Sequence, residues 1–199
     1  QYIAKHAAND TKEDESFLEQ TLTAAREQLH YAGQLLRAPT ELVGPTGESN
    51  QLHLEPRGQL VTILDDPARL DEYLMAVLSA LVTGNTVIAL ADESVIDAWR
   101  AIAAALAETG LPDGTFTVKP LEHWPPALNS PDTKAVMVAA TSSYLQSVTR
   151  VIANREGPII GLISCVSSTD LLHQTLLEKT VSIDTTAAGG NASLMTMAS

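Results

Sequence analysis

From residue 58 to residue 184, short apolar runs alternate with helical stretches, and the links between them are short. This alternation narrows the choice of folds more than any other feature of the chain. Residues 86–90 (TVIAL) are β-branched and apolar on consecutive positions, the pattern of a strand buried on both faces. Residues 135–140 and 158–165 also read as strands, and residues 116–118 as a short one. Residues 51–64 hold two extended stretches broken by Pro56-Arg57-Gly58. Between these runs lie helices. In 68–83, Leu70, Tyr73, Leu74, Val77, Leu78, Leu81 and Val82 share one face, and Gly84-Asn85 stops the helix. In 94–109, Val95, Trp99, Ile102 and Leu106 are in register, and Gly110 follows. Residues 143–154 and 169–179 read as two more helices, residues 119–133 as a loop holding four of the ten prolines, and residues 180–184 as a short strand.

Repeated strand–helix–strand units with short links require parallel pairing, right-handed crossovers and helices on both faces. The expected fold is therefore α/β: a Rossmann-like, mostly parallel sheet of about five strands with helices on both faces, preceded by a long N-terminal helix. That helix is expected over 13–37, because Leu18, Leu22, Ala25, Leu29, Ala32 and Leu36 recur at steps of three and four. It packs on its own domain or on a neighbour, or pairs with a second copy as a short coiled coil. The chain divides into a leader and helix (1–38), a connector and extended segment (39–57), the Rossmann-like domain (58–184) and a C-terminal segment (185–199).

Composition excludes several functions. With 24 acidic and 12 basic residues the formal charge is −12, which repels nucleic acid and anionic membranes. A hydrophobic share of 45% supports a core. The single cysteine, Cys165, excludes a disulfide framework and a multi-cysteine metal site, and fits a reducing, cytoplasmic compartment. No apolar run reaches the roughly 18 residues of a membrane span, and residues 1–16 are too polar for a signal peptide. The first residue is Gln1 rather than Met, so the sequence reads as a piece of a longer or processed chain.

Motifs that carry chemistry are mostly absent from the sequence. No G-x-G-x-x-G, G-x-x-x-x-G-K-[ST] or G-x-S-x-G is present. His6, His30, His53, His123 and His173 are scattered, without H-x-x-x-H or H-x-H spacing, and read as surface or capping residues rather than ligands. Cys165 ends an apolar strand with no evident basic neighbour, so it reads as a structural thiol. Glu55, Arg57, Asp65 and Asp66 gather around a strand end, where α/β folds place ligands, although Asp65-Asp66 before Pro67 is also a helix N-cap with favourable charge. Asp92-Glu93 has the same reading before the next helix. Trp99 falls on an apolar helix face, and Trp124 in a proline-rich loop reads as local packing or as a contact residue.

The segment 185–199 (TTAAGGNASLMTMAS) carries no charge. Two readings stand: a solvated terminus, or a docking segment that buries Leu194 and Met195 after a close backbone approach at Gly189-Gly190.

Three stretches in one register resemble the NAD-binding domain of aldehyde dehydrogenases: Pro56-Arg57-Gly58, SALVTGNTVIALADES (79–94) and AETGLPDG (107–114), followed by NSPDTKAVMVAATSS (129–143). The departures from that family bear on function. Leu90 stands where the family has a lysine that contacts the cofactor ribose, and Ala91 replaces the following proline. Pro67 aligns with the oxyanion-hole asparagine, and a proline has neither a side-chain nor a backbone donor. Ala140-Thr141 replaces a Gly-Ser pair, and no segment resembles the catalytic cysteine region or the general-base glutamate.

The ends of the chain, LVGPTGESNQLHLEPRG (42–58) and TVSIDTTAAGGNASLM (180–195), resemble the closing region of long bacterial proline utilization A proteins. These are bifunctional flavoenzymes: an FAD-dependent proline dehydrogenase joined to an NAD-dependent glutamate-semialdehyde dehydrogenase. Long members carry an extra, catalytically silent aldehyde-dehydrogenase-like domain at the C-terminus. The resemblance implies that this chain has no catalytic, cofactor-binding or metal-binding residues of its own, while FAD and NAD belong to the parent protein. It implies a partner in the aldehyde dehydrogenase domain of the same polypeptide. It further implies that Thr186, Ala187, Ala188, Gly189, Gly190, Asn191, Ala192, Ser193, Leu194 and Met195 form a docking motif that helps close the internal route between the two active sites. Homo-oligomers remain open, and the expected location is cytoplasmic, with the parent either free or peripheral at the inner membrane. Two rival readings are a residual NAD-binding module and a free-standing enzyme that uses Cys165 as nucleophile. The structural reading of Cys165 predicts that iodoacetamide leaves the folded chain unmodified at neutral pH; rapid stoichiometric alkylation would contradict it.

Overall fold

The computed structural model describes residues 11–65, 70–139, 142–164 and 170–184. The interior is organised around five parallel strands: β3 (Gln59–Leu64), β4 (Thr86–Ala91), β5 (Phe116–Pro120), β6 (Thr133–Ala139) and β7 (Gly161–Ser164). Their spatial order is β5-β4-β3-β6-β7, so the chain starts in the middle, moves outward to one edge, returns and fills the other. This is the doubly wound order of the Rossmann class. Register is continuous across the middle: Ile63 pairs with Leu90 on one side and Val138 on the other.

Period-2 alternation sends consecutive strand residues to opposite faces, and both faces are covered. One face buries Leu60, Leu64, Ala89, Met137 and Ile163 under α2 (Leu70–Val82), α3 (Ile96–Glu108) and α6 (Asp170–Gln174). The other buries Val61, Ile63, Leu90, Val136 and Val138 under α4 (Trp124–Asn129) and α5 (Ser142–Asn154). Helices α2 and α3 end alike. Gly84 and Gly110 take φ of 83° and 94°, and the next residue donates back five positions: Asn85 N to Ala80 O (3.0 Å) and Leu111 N to Leu106 O (3.2 Å). Glycine makes that left-handed step without steric cost.

Four elements differ from the sequence expectations. Residues 119–133 are not a plain loop: β5 runs on to Pro120, a 3₁₀ turn follows at Leu121–His123, and α4 begins at Trp124. Pro125 and Pro126 fall in its first turn, where a missing N–H costs nothing and the fixed φ suits the helix. The helix expected over 169–179 stops at Gln174, and β8 (Leu176–Asp184) begins two residues later. The leucine spacing there suits a helix, but nine residues of antiparallel pairing with β2 (Glu48–Pro56) decide the outcome. Third, β8 does not join the parallel sheet. With β1 (Thr40–Leu42) and β2 it makes a separate three-stranded antiparallel sheet in the order β1-β2-β8. Fourth, α1 (Thr11–Leu35) docks on α2 through Ala32, 2% exposed, and a Gln28 Nε2 to Ser79 Oγ hydrogen bond of 2.9 Å, while Leu29 is 61% exposed. The helix does not seat its whole leucine stripe on the domain.

Trp99 lies in the core, as its helix face predicts. It meets Tyr73 edge-on at 5.0 Å and Phe116 at 6.2 Å between ring centroids. Truncating it removes both contacts and leaves a cavity. We expect Trp99→Ala to cost roughly 3–5 kcal/mol, read as a lower urea midpoint at unchanged slope.

Candidate functional site

In a doubly wound sheet the ligand crevice opens at the carboxyl ends of the strands, where the order reverses. Here that point lies between β3 and β6. Asp65 follows β3 directly, and α5 starts just after β6. Tyr144, in the first turn of α5, tilts against Trp124 at 5.6 Å between ring centroids, with 55° between the planes. Both rings pack on the cluster formed by Val61, Ile63, Leu90 and Val138. Leu90, at the position of the family's ribose-contacting lysine, is 0% exposed. The flank of the crevice beside β3 and β4 is thus closed by aliphatic and aromatic groups.

The Tyr144 hydroxyl is buried and has no hydrogen-bond partner among the described residues. Burial, assisted by the Asp65 carboxylate, pushes its pKa up to about 12. The other acid near a strand end behaves differently. Asp92 Oδ1 accepts from the Ser94 backbone N–H at 2.9 Å, and this bond holds its carboxyl below the usual value. Asp92 closes an Asx turn ahead of α3 and does not cap the helix, whose N-cap position is Val95.

The acidic and basic residues read as one cluster are split by the fold. Asp65 stands at the carboxyl end of β3. Glu55 and Arg57 stand beyond its amino end, about 20 Å away at the rise of an extended strand. There Glu55 pairs with Lys179 at 2.9 Å, and Arg57 Nε donates to Gln174 O at 2.6 Å. Both are exposed contacts that join β2 and β3 to the β8 side of the molecule. The described histidines form no cluster: His30 bonds Gln34, and His123 and His173 are exposed, while His6 lies outside the described residues. Among the described residues no group of three or more His, Cys, Asp or Glu could hold a metal ion. Pro67, Ala140, Thr141, Cys165 and the whole of 185–199, including Thr186 to Met195, lie outside the described residues.

Sequence reasoning missed two features. Tyr144 gave no signal, since a tyrosine on an amphipathic helix is ordinary. Asn85 was read only as part of a helix stop, yet it is completely buried at the amino edge of the sheet.

The class follows from this architecture: an α/β domain of the aldehyde dehydrogenase kind. The aldehyde dehydrogenase KauB of Pseudomonas aeruginosa superposes with a TM-score of 0.60 over 71% of this chain and 29% of its own, at 20% identity, which speaks to fold alone. A crystal structure of bifunctional proline utilization A (PutA) superposes with a TM-score of 0.64 over 71% of this chain and 15% of its own, at 28% identity. The chain matches no family model. It is a PutA homologue over about four-fifths of its length: it is 30% identical over 171 residues to the bifunctional protein PutA of Escherichia coli strain K12, a match that covers 83% of this chain. The chain spans only 12% of that relative's length. No helix among the described residues is long and apolar enough to cross a membrane.

The geometry at Tyr144 gives a signed prediction. Its folded pKa exceeds the ordinary value of 10.0, so its contribution to stability is intact below that pH and is lost as pH rises through about 12. Tyr144→Phe should therefore resist alkaline unfolding better than the natural chain and be no less stable at pH 7. Identical alkaline unfolding curves would contradict the burial of this phenol.

Proposed function

We propose that this chain is a noncatalytic, aldehyde-dehydrogenase-like domain of a bifunctional PutA enzyme. In this reading it covers and stabilises the NAD-dependent semialdehyde dehydrogenase part and helps seal the route by which the intermediate passes from the proline dehydrogenase site. Residues 58–184 form the scaffold and 185–199 the docking segment. The observation that carries the reading is Leu90. A cofactor ribose needs a polar or charged partner at this strand end, and a fully buried leucine supplies none. The aromatic pair Trp124–Tyr144 beside it supports the same conclusion, since it fills space that a dinucleotide would need. Homology to PutA supports the assignment of parent and pathway, namely oxidation of proline to glutamate with FAD and NAD held elsewhere in the polypeptide.

The doubly wound order favours one rival, a residual NAD-binding module. Topology is shared by many domains with different functions, so it decides little alone. Tryptophan emission separates the two readings, because Trp124 lies beside the crevice. Titration of the chain with NAD should give no saturable quenching. Saturation at micromolar NAD would overturn the noncatalytic, cofactor-free reading and establish the rival.

A further inference from the structure

The three-stranded sheet β1-β2-β8 projects from the α/β body as an arm. β2 enters the body at Pro56, and β8 leaves it at Leu176, the residue paired with Pro56. From there β8 runs to Asp184, about 27 Å further on at the rise of an antiparallel strand. The arm's principal contact with the body is between β8 and α6. Leu42, Leu177 and Ile183 on its strands are exposed.

We infer that a buried polar node at the amino edge of the parallel sheet sets the direction of this arm, with Asn85, Thr83, Thr175 and Arg57 as its positioning residues. Asn85 Oδ1 accepts from Gly58 N at 3.0 Å, at the start of β3. Asn85 Nδ2 donates to Thr175 O at 3.0 Å, at the junction of α6 and β8, and lies 2.9 Å from Thr83 Oγ1 at the end of α2. The Thr83 and Thr175 hydroxyls are 2.8 Å apart. Thr83, Asn85 and Thr175 are 1%, 0% and 0% exposed. From the solvent side, Arg57 Nε holds Gln174 O. One side chain thus joins the last residue before β3, the end of α2 and the residue before β8.

Apolar burial of Leu171, Leu172 and Leu176 also attaches this junction, but apolar burial has no direction. Hydrogen bonds do, and in a dry site an unmade one is costly, so the node selects one orientation of the arm. The consequence for docking, that the node aims the segment after Asp184, rests on the function proposed above. The inference about the arm itself does not.

The test reads arm position separately from folding. Nitroxide labels at Glu48→Cys on the arm and Glu108→Cys on α3, in a Cys165→Ser background, report the distance between arm and body. The natural junction should give one narrow distance distribution. Arg57→Met/Thr175→Val removes two side-chain holds at the junction, and Asn85→Ala removes the hub. Both should broaden the distribution while far-UV circular dichroism stays unchanged, whereas Thr175→Ser, which keeps the hydroxyl, should stay narrow. A narrow, unshifted distribution in Arg57→Met/Thr175→Val overturns the inference, even if Asn85→Ala fails to fold.

Discussion

Strand β3 is the constraint on which the rest of the structure depends. It has a parallel neighbour on each edge and a helical layer on each face, and Leu60, Val61, Thr62, Ile63 and Leu64 are all fully buried. A strand so placed has no solvated side on which to put a polar residue, and its one hydroxyl, that of Thr62, reaches the Tyr73 phenol at 3.2 Å. β4 and β6 pair with it directly, and β5 and β7 pair with those two in turn. The winding reverses at its sides, which fixes where a crevice opens, and its amino end at Gly58 meets the node that carries the arm. Substitutions in β3 would therefore disturb the crevice and the arm together.

The two ends of this sheet are put to different uses. At the carboxyl ends, where the fold class ordinarily binds ligands, Leu90, Trp124 and Tyr144 place aliphatic and aromatic groups. At the amino ends, polar groups are buried and satisfied: Asn85 uses its carbonyl and its amide, and Thr83 and Thr175 share a short contact. Buried polar groups of this kind cost stability unless they are paired, and once paired they specify one arrangement. In the proposed function the domain has lost the chemistry of its fold class and kept a means of presenting a surface.

Much of the fold was legible in the sequence. Consecutive apolar, β-branched residues at 86–90 identified a strand buried on both faces, residues 135–140 read as a strand, and the glycines after α2 and α3 marked helix ends that the structure closes through the N–H groups of Gly84 and Asn85 and of Gly110 and Leu111. What escaped was nonlocal. Leu176 and Leu177 carry helical spacing, and only pairing with β2, more than a hundred residues earlier, turns them into a strand. The short helix after Trp124 was hidden because prolines mark both loops and first helical turns. Of the candidate site, Leu90 was legible because a family resemblance says what should stand there. The splitting of Glu55 and Arg57 from Asp65 was not, since proximity in sequence gives no sign of which end of a strand a residue occupies. Asn85 looked like punctuation because a Gly-Asn stop and a buried hub have the same letters.

In the proposed function the domain acts on the dehydrogenase part through the segment that follows its arm. The most direct measurement deletes residues 185–199 from a PutA polypeptide carrying this domain. Each half-reaction is then recorded, followed by the coupled flux from proline to glutamate. The account predicts that the proline half-reaction survives while coupled flux falls or shows a lag. Three rates equal to those of the intact enzyme would contradict it.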